Sequence, residues 1–218
     1  MNIQKFSMGG MTISTSNETD GYGFDTCEEA VSVFHHFANG RKFENALEWC
    51  CGPGYYGLGV WKTELAKSIS FSDIAPEAEL VMKETFKDND FSFPFYLSDN
   101  FDNIPKQKFD LIVGNPPHFN FTVPNWKYGW GPEAIDEHEV RKMRDLDWKV
   151  HKKFYSQVGE YLTDDGSIML LENLKGSNKK TFEPMWEKYG FEQTNFVPSQ
   201  KQEGYTYYIE VKKRQLSL

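Results

Sequence analysis

Residues 45–60 read NALEWCCGPGYYGLGV, and this stretch decides the fold. It begins as a short strand, turns at Gly-Pro-Gly and continues as a helix, although internal glycines weaken a helix. Gly52, Gly54 and Gly57 form a G-x-G-x-x-G pattern between the strand and the helix. Glycine lets the backbone turn tightly and approach a ligand without interference from a Cβ atom. The stretch therefore predicts a strand–turn–helix unit with a ligand-binding loop.

Strand and helix signals alternate downstream of this unit, which indicates a Rossmann-like parallel sheet with helices on both faces. Such a sheet binds its ligands at the carboxyl ends of the strands. The predicted elements are a helix to about residue 66, a strand over 68–73, a helix from Pro76, strands over 93–99 and 109–115, a helix over about 148–162 ended by Asp-Asp-Gly, a strand over 167–173, a helix to Gly190 that begins or kinks near Pro184, and a C-terminal antiparallel hairpin.

The first 25 residues are rich in Gly, Ser and Thr and are predicted to form a loop or a frayed arm. Thr26 and Glu29 have the spacing of a capping box, which predicts a helix over about 27–38. We therefore divide the chain into an N-terminal arm, 1–25, and one α/β domain, 26–218.

Composition narrows the functional classes. The formal net charge is −8, from 24 basic and 32 acidic residues, which argues against a large nucleic-acid footprint but leaves a local basic patch open. Three cysteines without C-x-x-C spacing predict neither a disulfide nor a metal site. Free thiols, with no leader or apolar span, predict a cytoplasmic protein that does not enter a membrane. The 18 Phe, 11 Tyr and 6 Trp line either a pocket or the core.

Two carboxylates accompany the glycine loop. Asp73 ends the next predicted strand, where it can accept hydrogen bonds from ribose hydroxyls. A nicotinamide enzyme and a methyltransferase both fit this much. Glu48 favours the methyltransferase, because nucleotide-binding motifs usually carry apolar residues at that place and an acid there can complement the ammonium of S-adenosylmethionine.

A second motif ends the strand at 109–115. Asn115, Pro116, Pro117 and His118 follow one another, and the two prolines fix φ and remove two backbone donors. A rigid corner remains in which the Asn115 side-chain oxygen and the Pro116 carbonyl are acceptors. Two acceptors held apart suit an –NH₂ group, which has two in-plane donors. Methyl transfer here would depend on positioning, without a strong general base.

The ordered motifs LEWCCGPGYYGLGV, Asp73, SDNF and DLIVGNPPH resemble those of the class I S-adenosylmethionine-dependent amino-methyltransferases that carry N-P-P-Y, N-P-P-F or D-P-P-Y. These include release-factor glutamine, adenine-N6 and ribosomal guanine-N2 methyltransferases, and the resemblance covers about residues 24–213. It implies a seven-stranded, mostly parallel sheet with a reversed last hairpin. It also implies the site residues, which are Glu48, Cys50, Gly52, Gly54, Asp73, Asp99 and Asn115 for the cofactor, and Asn115, Pro116 and His118 for catalysis.

This chain departs from the family pattern at two positions. Cys50 stands where the first glycine of the loop is usual, which narrows the approach of the cofactor. His118 stands where an aromatic residue is usual. A phenyl ring at that position stacks on the target, whereas an imidazole stacks less well and is able to hydrogen-bond. Phe119 or Phe121 is a candidate replacement for the stacking platform.

The methyl acceptor is the least determined part of the prediction. Residues 119–145 interleave aromatic and basic side chains, which favours base stacking and phosphate contact, but a lid packed on the sheet edge fits equally. We expect substrate contacts from Phe119, Phe121, Trp126 and Trp130. A nucleobase amine in RNA or single-stranded nucleic acid ranks first, a protein glutamine second and a small-molecule amine third. The alternatives of another class are an NAD-dependent oxidoreductase and a catalytically silent cofactor-binding module.

Overall fold

The computed structural model describes residues 1–19, 23–120 and 142–215. The described strands are β1 (Gln4–Met8), β2 (Met11–Thr15), β3 (Phe43–Trp49), β4 (Ala66–Asp73), β5 (Phe95–Leu97), β6 (Phe109–Gly114), β7 (Leu162–Asn173), β8 (Phe191–Pro198) and β9 (Thr206–Lys213). The helices with described bounds are α1 (Gly23–Ala38), α2 (Tyr55–Lys62), α3 (Pro76–Asn89), α4 (Lys149–Val158) and α5 (Lys179–Tyr189).

Seven of these strands form one sheet in the order β5-β4-β3-β6-β7-β9-β8. The pairs from β5 to β7 are parallel, whereas β9 runs antiparallel to both β7 and β8. This confirms the predicted fold class, including the reversed C-terminal hairpin. Trp49 pairs with Ser72 on one side and with Gly114 on the other, so β3, β4 and β6 end at the same level.

The core lies on both faces of the sheet. Along β6, Leu111 and Val113 join a cluster with α1 and α2, while Ile112 joins a second cluster with α4 and α5. This division follows from the alternation of side chains along a strand. The largest fully buried side chains are all Trp, Tyr or Phe, such as Trp49 and Phe154, whose rings stack at 3.9 Å. Much of the high aromatic content therefore serves the core.

The predicted loop at the N-terminus is wrong. Residues 4–15 form the hairpin β1–β2, which turns at Gly9 and Gly10 with φ of 56° and 81°. Ile13 is fully buried, and the Ser14 amide donates to Thr85 Oγ1 of α3 at 2.9 Å. The polar composition hid a short alternating pattern and a Gly-Gly turn, both of which indicate a hairpin.

The predicted capping box is also wrong. The first helix begins at Gly23, so Thr26 lies within its first turn and bonds to Tyr56 Oη at 2.7 Å. Glu29 instead accepts hydrogen bonds from Ser199 Oγ at 2.6 Å and from Tyr208 Oη at 3.0 Å. Both side chains thus bond to residues that are distant in the sequence, and they do not form the reciprocal bonds of a capping box.

Three helix ends differ from prediction. The second helix ends at Lys62 rather than near residue 66, because Ala66 already begins β4. The fourth ends at Val158, and β7 then runs through Asp-Asp-Gly, so those residues do not end the helix. The fifth begins at Lys179, where the Asn178 side chain caps it, and Pro184 lies inside the helix. By contrast, Pro76 begins α3 as predicted.

Gly57 lies in α2 at a point where no side chain fits. A Cβ atom there would lie 2.6 Å from Glu48 Oε2 and 2.7 Å from Phe71 Cε1. The helix therefore packs on β3 and β4 more closely than alanine allows, which offsets the intrinsic cost of glycine in a helix.

We expect Gly57→Ala to lower the free energy of unfolding by about 1–3 kcal/mol, the range for overpacking a well-packed core. Gly159→Ala is the matched control, because its Cβ atom would meet its nearest neighbour at 3.8 Å. Urea unfolding of the two variants measures the difference. Equal stability of Gly57→Ala and the wild type would contradict this account of the packing.

Candidate functional site

A pocket of about 440 Å³ lies at the level where β3, β4 and β6 end. Its walls come from the segment after β2, the glycine loop, the turn after β4 and the N-P-P corner. The lining residues are Glu18, Thr19, Gly23, Glu48, Cys50, Cys51, Gly52, Pro53, Tyr55, Tyr56, Asp73, Ile74, Ala75, Pro76, Glu77, Ala78, Asn115, Pro117 and Lys142.

The glycine loop takes the left-handed backbone conformation at alternate residues. The φ angles are 53° at Cys50, 47° at Gly52 and 80° at Gly54. Cys50 thus occupies a conformation that strongly favours glycine. A Cβ atom at Gly52 would lie 2.8 Å from the Thr19 carbonyl oxygen, so the segment after β2 closes directly over the loop.

Glu48 is fully buried at the end of β3 and faces the N-terminus of α2. Its Oε2 accepts from the Gly57 amide at 2.7 Å and its Oε1 from the Tyr56 amide at 3.2 Å. Burial raises the pKa of Glu48 to about 8, although these two amides act to lower it. The side chain lines the pocket, and both of its oxygens organise the loop. Its contact with a cofactor stays a prediction.

Asp73 connects the end of β4 to the glycine loop. Its carboxylate accepts from the Gly52 amide and from the Ala75 amide, each at 2.9 Å. Burial raises the pKa of Asp73 above its ordinary value. Ile74 follows it in the pocket wall with 65% of its surface exposed, which offers an apolar face beside the carboxylate.

Some predicted cofactor residues do not line the pocket. Asp99 is exposed, and its carboxylate pairs with Lys153 at 2.7 Å. Gly54 lies behind the loop, where a Cβ atom would lie 2.7 Å from the Met82 side chain. The cofactor contact that the family resemblance implies for Asp99 stays a prediction.

The N-P-P-H corner brings Asn115 and Pro117 to the pocket wall, while Pro116 is buried and His118 lies outside the lining. The Oδ1 atom of Asn115 is buried and has no hydrogen-bond partner among the described residues. A buried, unpaired acceptor costs about 1–3 kcal/mol. Of the nine buried side-chain polar atoms without a partner in the described residues, only Asn115 Oδ1 belongs to a residue that lines this pocket. The pocket therefore holds an acceptor that is available to a ligand.

His118 is largely buried, with its Nδ1 atom 3.5 Å from Glu172 Oε2. Phe119 packs edge-on against His118, and its backbone pairs with residues 143 and 145. The other predicted substrate contacts, Phe121, Trp126 and Trp130, lie outside the described residues.

Sequence reasoning missed part of the pocket wall. Glu18 and Thr19 were hidden by the unrecognised hairpin that positions them, whereas Ile74 and Glu77 follow Asp73 closely enough to have been inferred. Within 1–19, 23–120 and 142–215, no three His, Cys, Asp or Glu side chains are grouped to hold a metal ion. No helix in those ranges is long and apolar enough to cross a membrane.

Comparison with known proteins agrees with this geometry. Residues 24–123 match the methyltransferase small domain family. The ribosomal protein uL3 glutamine methyltransferase of Francisella tularensis is 28% identical over 58% of this chain and 40% of its own length. The release factor glutamine methyltransferase of Borreliella burgdorferi is 31% identical over 54% of this chain and 41% of its own. The chain thus spans about two fifths of the length of these relatives.

A solved structure extends the likeness to the whole fold. The T. thermophilus 16S rRNA N2 G1207 methyltransferase, in complex with AdoMet and guanosine, superposes with a TM-score of 0.61 at 15% identity. The match covers 98% of this chain and 50% of that one. These matches confirm the resemblance that the motifs predict. Residues 24–123 thus match the methyltransferase small domain family over a little less than half of the chain, and the chain has the fold of solved S-adenosylmethionine-dependent methyltransferases.

Proposed function

We propose that this chain transfers a methyl group from S-adenosylmethionine to the nitrogen of a planar –NH₂ group. The observation that carries the proposal is the buried, unpaired Oδ1 atom of Asn115 in the wall of the pocket. An acceptor of this kind suits one hydrogen of an amine or amide, and the Pro116 carbonyl is the candidate for the other.

The pocket residues fit the cofactor. Glu48 supplies a carboxylate for the ammonium, and Asp73 supplies acceptors for ribose hydroxyls at the end of the adjacent strand. The exposed face of Ile74 suits the flat surface of a base. A nicotinamide dinucleotide would need space for a pyrophosphate at the first turn of α2, where the buried Glu48 carboxylate already binds two amides. When bound, S-adenosylmethionine would supply an electrophilic methyl group and leave as S-adenosylhomocysteine, and the methylated nitrogen would lose one proton.

Positioning is the contribution of the chain itself. Asn115 and Pro116 would hold the nitrogen with its lone pair directed at the methyl carbon, and the prolines would keep both acceptors fixed during transfer. A preorganised corner needs no reorganisation in the transition state.

Two observations bear on the acceptor and favour different ones. The aromatic side chains of residues 119–145, interleaved with four Lys or Arg among five Asp or Glu, favour a nucleobase in RNA or single-stranded nucleic acid. The net charge of −8 and the two sequence relatives favour a protein glutamine, since both relatives are named for glutamine methylation. Both acceptors present the same planar –NH₂ group, so the proposed chemistry is common to them.

Asn115→Ala should lower turnover by about 10²–10³, the scale for losing one preorganised polar group. Affinity for S-adenosylhomocysteine should change much less than turnover, because Glu48 and Asp73, which meet the ammonium and the ribose in this proposal, are untouched. Asn115→Asp keeps an acceptor oxygen and should retain more activity than the alanine variant. Steady-state rates and calorimetric titration measure the two effects. Normal turnover of Asn115→Ala would overturn the mechanism.

Cofactor binding should release a proton through Glu48. The folded pKa of about 8 lies above the ordinary 4.5, so Glu48 is mostly protonated at pH 7 and must ionise to meet an ammonium. Affinity for S-adenosylhomocysteine should therefore fall as the pH drops below 8, by up to tenfold per unit. Calorimetry in buffers of different ionisation enthalpy counts the proton. Glu48→Gln should remove it, and an identical proton count in that variant would exclude this role for Glu48.

Radiolabelled methyl transfer to single-stranded RNA and to a glutamine-containing protein separates the two acceptors. A nucleic-acid acceptor predicts binding that weakens steeply with salt, because phosphate contacts release counterions. Trp130→Ala should then cost about 1–3 kcal/mol of binding, if a base stacks on that ring. Salt-insensitive labelling of protein alone would assign the activity to glutamine.

A further inference from the structure

Four titratable side chains form a buried chain that ends at the N-P-P-H corner. His118 Nδ1 lies 3.5 Å from Glu172 Oε2, Glu172 Oε1 lies 3.1 Å from His151 Nε2, and His151 Nδ1 lies 2.7 Å from Asp145 Oδ2. The last three side chains are completely buried, and that of His118 is 12% exposed. They come from β7, α4 and the segments beside them, so the fold and not a local motif assembles them.

The inner part of the chain is charged. Burial acts to lower the pKa of His151, but Glu172 and Asp145 outweigh burial and raise it to about 9. Burial acts to raise the pKa of Glu172, but His151 and His118 outweigh it, and the pKa lies below its ordinary value. Glu172 is therefore a carboxylate at neutral pH, next to a cationic His151. Ser177 also approaches Glu172 Oε2, at 3.5 Å, and bonds to Tyr207 Oη at 3.0 Å.

Stability alone does not account for this arrangement. The cost of removing charges from water largely offsets their attraction, so a buried ion pair adds little net stability over apolar residues of similar volume. His151 already lies among rings, stacked on Phe182 at 4.7 Å and edge-on to Trp49 at 5.6 Å, an environment that an apolar side chain would also fill.

The charge of Glu172 determines the state of His118. An ionised carboxylate accepts hydrogen bonds and cannot donate them. A neutral imidazole at His118 that faces Glu172 must therefore carry its proton on Nδ1, which leaves Nε2 with a lone pair. In metal-binding histidines, likewise, the hydrogen bond made by one ring nitrogen decides which of the two nitrogens carries the proton.

Building on the proposed function, we propose that Glu172, paired with His151, is a positioning residue that holds His118 in the Nδ1–H tautomer, so that Nε2 is an additional acceptor for the N–H groups of the methyl acceptor. The nitrogen of His118, which lies just outside the pocket lining, would then supplement the Asn115 oxygen in the pocket wall. At position 118, where the related motifs carry a ring that stacks on the target, this chain would recognise the methyl acceptor by a hydrogen bond.

The hydrogen-bond geometry of Asn115 and His118 agrees with the role proposed for Glu172. Neither Asn115 Oδ1 nor His118 Nδ1 has a well-formed hydrogen bond within the described part of the chain, and both atoms are buried. The contact between His118 and Glu172 is long, as catalytic contacts often are before substrate binds. A substrate that engages the corner would tighten it.

The test compares two buried glutamates. Glu172→Gln removes the charge that faces His118, while Glu210→Gln is the control, since Glu210 is equally buried but bonds to Ser167, Thr194 and Asn195. We expect Glu172→Gln to lower kcat about 10²-fold, the effect of a small misplacement at a reacting centre. The KM for the cofactor should not change, and Glu210→Gln should leave both constants near those of the wild type.

Nitrogen-15 spectra of the imidazoles provide a readout that is independent of activity. His118→Phe identifies the His118 signals by their loss, and the wild type should then show the Nδ1–H tautomer. Glu172→Gln should shift His118 toward Nε2–H, and Glu210→Gln should not. If Glu172→Gln does not fold, His118→Phe carries the test, and it should lower kcat by a similar factor.

The outcomes separate this inference from the proposed function. Loss of turnover in Asn115→Ala with full activity in His118→Phe or Glu172→Gln would overturn the role of His118 and leave the amine mechanism standing. An Nε2–H tautomer in the wild type would overturn the inference directly. Full turnover in all three variants would overturn the proposed function as well.

Discussion

The hydrogen bonds that the Tyr56 and Gly57 amides of α2 donate to the Glu48 carboxyl group are the constraint on which the site depends. They fix a helix N-terminus against the end of β3, and the loop between them must then turn within five residues. The left-handed conformations at Cys50, Gly52 and Gly54 follow from that short connection. Residue 57 must be a glycine because the Glu48 carboxyl group occupies the space that a Cβ atom would need. Asp73 then ties the loop to the next strand.

Local patterns predicted the central sheet well. The strands β6 and β7 carry the apolar runs 111–113 and 168–171, and β4 alternates Ile69 and Phe71 with serines. Pro76 marks the start of α3 by its own covalent geometry. Because β3, β4 and β6 end at the same level of the sheet, Glu48, Asp73 and Asn115 lie in one pocket. Their convergence follows from topology once the alternation of strands and helices is recognised.

Other parts depend on contacts between residues far apart in the sequence, which no local pattern encodes. Glu29 fits a capping box but binds residues 199–208, some 170 positions away. Asp99 pairs with Lys153 on α4. In the sequence, His151 has the spacing of the apolar face of an amphipathic helix. In the structure it lies between two buried acidic side chains, Asp145, six residues before it, and Glu172, 21 residues after it.

The part of the pocket wall that contains Thr19 is held in place less strongly than the part formed by the glycine loop. Thr19 lies against the glycine loop, and the segment that carries it continues from a two-stranded hairpin whose amides bond to Thr85 and Asn89 on α3. A two-stranded hairpin is marginal by itself, so undocking of this one would be a local opening, with a lower free energy than unfolding of the main sheet. Any ligand that touches both Thr19 and Gly52 must favour the docked state. Occupancy of the pocket and order in the first nineteen residues are therefore linked equilibria, and each stabilises the other by the same free energy.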